Sequence, residues 1–147
     1  FSNKKAIDIM TPKSVTFMLE KNKIIDKKLL QKIKRKGFSR IPIYNENRDK
    51  IIGILYSNDL ISLEKETSVN KICKKEKIIK IEQNQNLDLL MNKMIKLRTH
   101  IAFVFDKFNT LQGIITLEDI LEEIIKKEII DEKDKVIDLR KLAKKKK

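Results

Sequence analysis

Two stretches decide how this chain is read: Ser39-Arg40-Ile41-Pro42-Ile43-Tyr44 and Gly53-Ile54-Leu55-Tyr56-Ser57-Asn58-Asp59-Leu60. Sixty residues later stand Thr99-His100-Ile101-Ala102-Phe103-Val104 and Gly113-Ile114-Ile115-Thr116-Leu117-Glu118-Asp119-Ile120. The same ungapped offset carries Ile51 to Leu111, Leu55 to Ile115 and Asp59 to Asp119. The chain therefore contains an internal repeat, which has to be recognised before local elements are assigned.

Each copy reads as a helix, a short apolar strand, a polar turn, a second apolar strand around the glycine, and a closing helix. The first opening helix is expected over Asp26 to Lys36, with Leu29, Leu30 and Ile33 on one face and Gly37 as its stop. Its counterpart is expected over Leu87 to Leu97, where Leu87, Leu90, Met91 and Met94 form an apolar stripe. The strands are placed at Arg40 to Tyr44 and Ile51 to Tyr56, joined by a turn over Asn45 to Lys50, and again at His100 to Phe105 and Leu111 to Ile115. Closing helices are expected to start near Asp59 and Asp119.

Outside the repeats lie two lead-in segments, Ala6 to Pro12 and Ser68 to Cys73, each followed by a strand candidate, Val15 to Leu19 and Ile78 to Ile81. The expected fold class is α/β (α+β): two small sheets flanked by helices, packed as an internal pseudo-dimer, because a lone unit leaves one sheet face exposed. The predicted divisions are 4–66, 67–130 and a charged, lysine-rich tail or linker over 131–147.

Length and composition narrow the functions. The chain has 147 residues, 41% of them hydrophobic, enough for one core or two small ones. Its lone cysteine, Cys73, excludes an intrachain disulfide and a multi-cysteine metal site, and its lone histidine, His100, excludes a histidine cluster. Each reads as a packing residue; no metal site and no nucleophile–base pair is suggested, so no catalysis is expected. Apolar runs such as Ile51 to Tyr56 fall far short of the roughly 20 residues that span a bilayer. The first residue is Phe1, and the chain reads as a fragment of a larger protein. The formal charge is +13, and 29 of the 34 basic residues are lysines. A lysine-rich, asparagine-rich composition accounts for this without a selected polyanion site, so no specific nucleic acid is expected. A basic surface binding nucleic acid or anionic lipid stays open as an alternative.

Asp8-Ile9-Met10-Thr11-Pro12, Gly37-Phe38-Ser39-Arg40-Ile41-Pro42-Ile43-Tyr44 and Gly53 to Leu60 resemble the first cystathionine-β-synthase (CBS) motif of the CorC/HlyC and cyclin-M family of magnesium and cobalt transport proteins. His100 to Val104 and Gly113 to Ile124 resemble the second. The likeness covers residues 4 to about 134. Members are often labelled hemolysin-like. The resemblance implies a dimer of CBS pairs on the cytoplasmic side of a membrane, attached to a transport domain and a small C-terminal CorC/HlyC-type domain. Two departures stand out: Lys126-Lys127 stands where the family usually has glycine after the Glu-Glu-Ile stretch, which leaves the end of the last helix open, and Tyr56 stands where the second copy has Thr116.

Thr116-x-x-Asp119 is open to two readings. It forms a capping box, worth about 1 kcal/mol to the helix it begins. A helix N-terminus also offers N–H groups to phosphate, and a carboxylate there accepts bonds from ribose hydroxyls. The resemblance implies an adenine-nucleotide site, for ATP or AMP and possibly with Mg²⁺. Thr116 and Asp119 would join Thr11, Val15, Thr16, Phe38, Ser39, Arg40, Ile41 and Pro42 of the first copy there. Phe38 would face the base and Arg40 a phosphate. A second site would use Asp59, Ile72, Cys73, Ile78, Thr99, His100 and Ala102. It lacks the small hydroxyl of Thr116 and is expected to be the weaker. The alternative is a ligand-free dimerisation scaffold.

Overall fold

The computed structural model describes residues 3–75 and 78–145. In chain order the elements are α1 (Ala6–Ile9), β1 (Thr11–Pro12), β2 (Leu19–Glu20), β3 (Ile24–Ile25), α2 (Lys27–Lys36), β4 (Arg40–Asn45), β5 (Asn47–Tyr56), β6 (Thr67–Ser68), α3 (Val69–Ile72), β7 (Lys80–Glu82), α4 (Leu87–Leu97), β8 (Ile101–Phe105), β9 (Leu111–Thr116) and α5 (Leu117–Lys145). They form a four-stranded sheet ordered β1-β9-β8-β7, a three-stranded sheet ordered β2-β4-β5, and the small pair β3-β6. The expected mixed α/β fold with two repeated sheets is what is observed.

Local chemistry sets the boundaries. Asp26 caps α2 by accepting from the Leu29 N–H at 2.8 Å, and Gly37 ends it at φ 69°. Asn86 caps α4 in the same way, and Arg98 closes it in the left-handed region at φ 54°. The first hairpin is tighter than predicted. β4 runs to Asn45 and β5 starts at Asn47, so the turn rests on Glu46 at φ 66°. The closing helix predicted at Asp59 is only a 3-10 turn, Ser57–Leu60. The strand predicted over Val15 to Leu19 begins only at Leu19, after a 3-10 turn at Lys13–Val15, and that over Ile78 to Ile81 is Lys80–Glu82.

Alternation along the strands sorts side chains into three cores. On β8, Ala102 and Val104 join Leu87, Leu90, Met94 and Ile115 in the second copy's core, while Ile101, Phe103 and Phe105 point the other way. There they meet Met18, Ile51 and Ile54 of the first copy, which makes the joint between the copies. Every residue of β8 is buried, so it lacks the polar face of a half-exposed strand. The first copy's own core gathers Leu29, Ile33, Ile41, Ile43 and Leu55.

The lead-in segments are exchanged. Ala6 lies in the second copy's core, the Ala6 N–H donates to the Gln85 C=O at 2.9 Å, and Thr11 pairs with Ile114 at the edge of β9. Reciprocally, Val69 and Cys73 lie in the first core, and Lys74 bridges Ile54. Each lead-in segment therefore packs in the copy that it does not precede. An open sheet edge recruits the nearest strand whichever copy it precedes. The repeat's two glycines sit at these crossings. A Cβ at Gly113 would come within 2.3 Å of the Thr11 carbonyl oxygen, and one at Gly53 within 2.7 Å of that of Lys74.

No break marks residue 131: α5 continues through the charged segment to Lys145, and Lys146 and Lys147 lie outside the described residues. Without a glycine after Ile124, nothing in the sequence stops the helix. Among the described residues, no helix is long and apolar enough to cross a membrane.

Candidate functional site at the start of α5

Thr116 ends β9 and Leu117 begins α5, so the chain turns from strand to helix at the motif. The Asp119 N–H donates to Thr116 Oγ1 at 3.2 Å, and the Thr116 N–H donates to Asp119 Oδ2 at 3.3 Å. This is the reciprocal capping box. It leaves the Thr116 hydroxyl proton and lone pairs on the Asp119 carboxylate available to a ligand.

Arg40 reaches this helix start from the other copy. Its Nη2 donates to Glu118 Oε1 at 3.4 Å, and His100 Nδ1 lies 3.7 Å from the same oxygen. Partial burial pushes the Glu118 carboxyl up. A backbone hydrogen bond, Arg40 and His100 pull it further the other way, so it titrates below its ordinary value. Thr11 is brought in by β1, which pairs with β9 two residues before Thr116. Arg40 of the first copy is thus held at Glu118, between Thr116 and Asp119, and Thr11 lies on the strand paired with β9, which ends in Thr116.

Other predicted residues contribute differently. Val15 is exposed, whereas the buried Thr16 hydroxyl already donates to the Pro12 C=O at 2.8 Å. Phe38 stacks on Phe17 with ring centroids 4.8 Å apart, so one of its faces is taken. The Ser39 carbonyl accepts from the Ser57 N–H at 3.0 Å. Ile41 packs into the first core and Pro42 is buried, leaving β4's backbone rather than the Ile41 side chain to line a site.

The second set is less coherent. His100, assigned there from the sequence, lies against Glu118 and so beside the first site. Ala102 points into a core, and Ile72 and Cys73 pack in the first core. Burial raises the Cys73 thiol above its ordinary value. Ile78 packs at the joint between the copies, and the Thr99 hydroxyl donates to the Ile101 C=O at 3.2 Å. Asp59 sits in the 3-10 turn with Oδ2 buried and unpaired.

Glu118 is a residue of this region that the Thr116-x-x-Asp119 pattern does not single out. Its signal in the sequence is an acid between the two members of the box, in the first turn of a helix, where it can meet cations from neighbouring strands.

The family model for the CBS domain matches residues 27–66 and 69–126. This chain belongs to the CBS-domain family. The pair is similar to the CBS domain of a bacterial CNNM/CorC family Mg²⁺ transporter solved in complex with ATP. That structure is 28% identical, with a TM-score of 0.74 over 83% of this chain and 87% of that one. A hemolysin-like CBS protein of Oenococcus oeni PSU is 26% identical, with a TM-score of 0.72 over 82% of this chain and 90% of that one. A UPF0053 protein of Mycobacterium bovis is 31% identical over 136 residues, which is 88% of this CBS pair. The chain spans only 30% of that relative's length.

Proposed function

We propose that this CBS pair is a regulatory module that binds an adenine nucleotide, ATP with Mg²⁺ or AMP, at the start of α5. The observation that carries this reading is the Arg40–Glu118 contact beside the Thr116/Asp119 box. A ligand seated there touches both copies and so favours one arrangement of the pair over another. Asp119 would accept from the ribose hydroxyls, Thr116 would reach ribose or phosphate, and the free face of Phe38 would meet the base. Arg40 would exchange Glu118 for phosphate. The ATP complex of the CNNM/CorC relative supports the ligand class.

The larger setting is part of the proposal. The module would act on an attached magnesium or cobalt transport domain at the cytoplasmic face of a membrane, with a CorC/HlyC-type domain beyond it and a second copy as dimer partner. Its role is binding and not catalysis. Calorimetric titration of the chain with ATP·Mg²⁺ and with AMP tests the site. Saturable heat that falls at least tenfold in affinity for Asp119→Asn, with the fold retained, supports it; unchanged affinity refutes it.

One observation favours a second reading. The Thr116/Asp119 box is complete within the protein, and Arg40 already has a carboxylate. A scaffold would need nothing more. Dimers that give no heat with either nucleotide would establish it.

A further inference from the structure

A groove of about 480 Å³, bordered by Thr16 and Phe17, has cations converging into it from three elements. Lys23 comes from the turn between β2 and β3, Lys28 and Lys32 from one face of α2, and Arg48 from the start of β5. Its acid, Asp26, is occupied in accepting the Leu29 N–H at the cap of α2. Among the described residues no carboxylate pairs with any of the four cations. Arg48 is steadied by donating to the Lys13 C=O at 3.3 Å.

A lysine-rich composition by itself scatters charge, and α5 shows what that looks like, with acids and lysines interspersed. α2 differs: six of its ten residues are basic and none is acidic. Lys28 and Lys32, one turn apart, repel each other and weaken the helix, and Lys28 opposes the positive end of the helix dipole. An anion held between them and the two facing cations removes that penalty.

The groove also says what kind of anion fits. Phe17 at its wall is stacked on Phe38, 4.8 Å between centroids, and the Lys32 ammonium lies 5.2 Å from the centre of its ring. The aromatic ring of the groove is thus already engaged, which disfavours single-stranded nucleic acid, whose bases need open rings to stack on. We propose that this groove binds a compact polyphosphate anion, either free in solution or displayed as the headgroup of a polyphosphorylated lipid. This does not rest on the nucleotide reading.

The test uses the full chain at low ionic strength, where such contacts are least screened. Tripolyphosphate and soluble inositol trisphosphate are titrated by calorimetry, and vesicles containing phosphatidylinositol bisphosphate are tested by co-sedimentation. The double variant Lys28→Glu/Lys32→Glu should weaken binding about tenfold or more, and it should fold, because acids near a helix N-terminus are favourable. Lys141→Glu/Lys144→Glu, the same charge change on α5, and Asp119→Ala should leave it unchanged. Sedimentation with vesicles assigns the lipid source, and binding of the soluble anions alone assigns the free one; either supports the groove. Failure of all three probes to bind overturns the proposal. So does equal weakening by both charge-reversal pairs, or loss of binding in Asp119→Ala.

Discussion

At the level of single residues, Glu118 connects what the sequence separates. It holds Arg40 of the first copy and faces His100 of the second, and its carboxyl titrates below its ordinary value. A lowered folded-state value means that its contribution to stability is present above the unfolded value and lost as pH falls through the folded one. Glu118→Gln should therefore lower the melting temperature slightly at neutral pH, a small loss because the side chain is 53% exposed, and leave it unchanged below the folded value, so that the acid limb of the profile is flatter. Gly113 gives a larger effect. With the Thr11 carbonyl oxygen 2.3 Å from where a Cβ would stand, Gly113→Ala must push β1 off β9, and chemical denaturation should show a loss of about 1–3 kcal/mol. Cys73 has a raised thiol value from burial, so alkylation at pH 8 should be much slower than in the urea-unfolded chain. The box at Thr116 and Asp119 was legible in the sequence because a cap is a local pattern. The Arg40–Glu118 contact was not, because it joins residues 78 positions apart.

At the level of elements, the strands and the two long helices of the repeats followed from periodicity and punctuation: α2 from Asp26 to Gly37, α4 from its i, i+3, i+4 stripe, β8 from an unbroken apolar run. The misses have physical reasons. The closing helix of the first copy is cut to a 3-10 turn, although Asp59 aligns with Asp119, because Tyr56 and Ser57 do not supply the box that Thr116 gives α5. The sequence predicts a six-residue turn where the structure has one at Glu46, because polar side chains on a strand that extends beyond the core look like loop. The charged segment beyond Asp131 reads as a tail or linker, but α5 continues through it, because helix propensity stays high through Lys145 and no glycine intervenes. Beyond Ile124 this helix touches little, and Ile129, Ile130 and Leu139 are all more than half exposed. Truncation after residue 131 should shift the melting temperature by less than about 2 °C, measured by circular dichroism, with only the helical signal reduced.

At the level of the whole molecule, the sixty-residue offset made the pseudo-dimer legible, and the family match and solved relatives agree with it. What the offset could not convey is the exchange of lead-in segments, since which sheet edge a strand joins is a property of the assembled pair. That exchange has a functional consequence. The candidate site is closed by β1 from one end of the chain, β4 from the first copy and α5 from the second, so a ligand there would stabilise the whole pair. The central claim is that nucleotide binds at the start of α5 and depends on Asp119. The most direct measurement is the thermal shift of the chain with ATP·Mg²⁺, made in parallel on Asp119→Ala and Asp59→Ala. At a hundredfold excess over the dissociation constant, about 2.7 kcal/mol of added stability corresponds to a rise of roughly 5–10 °C. The account predicts that rise for the unmodified chain and for Asp59→Ala, with little or none for Asp119→Ala. No rise in the unmodified chain, or the same rise in Asp119→Ala, would contradict it.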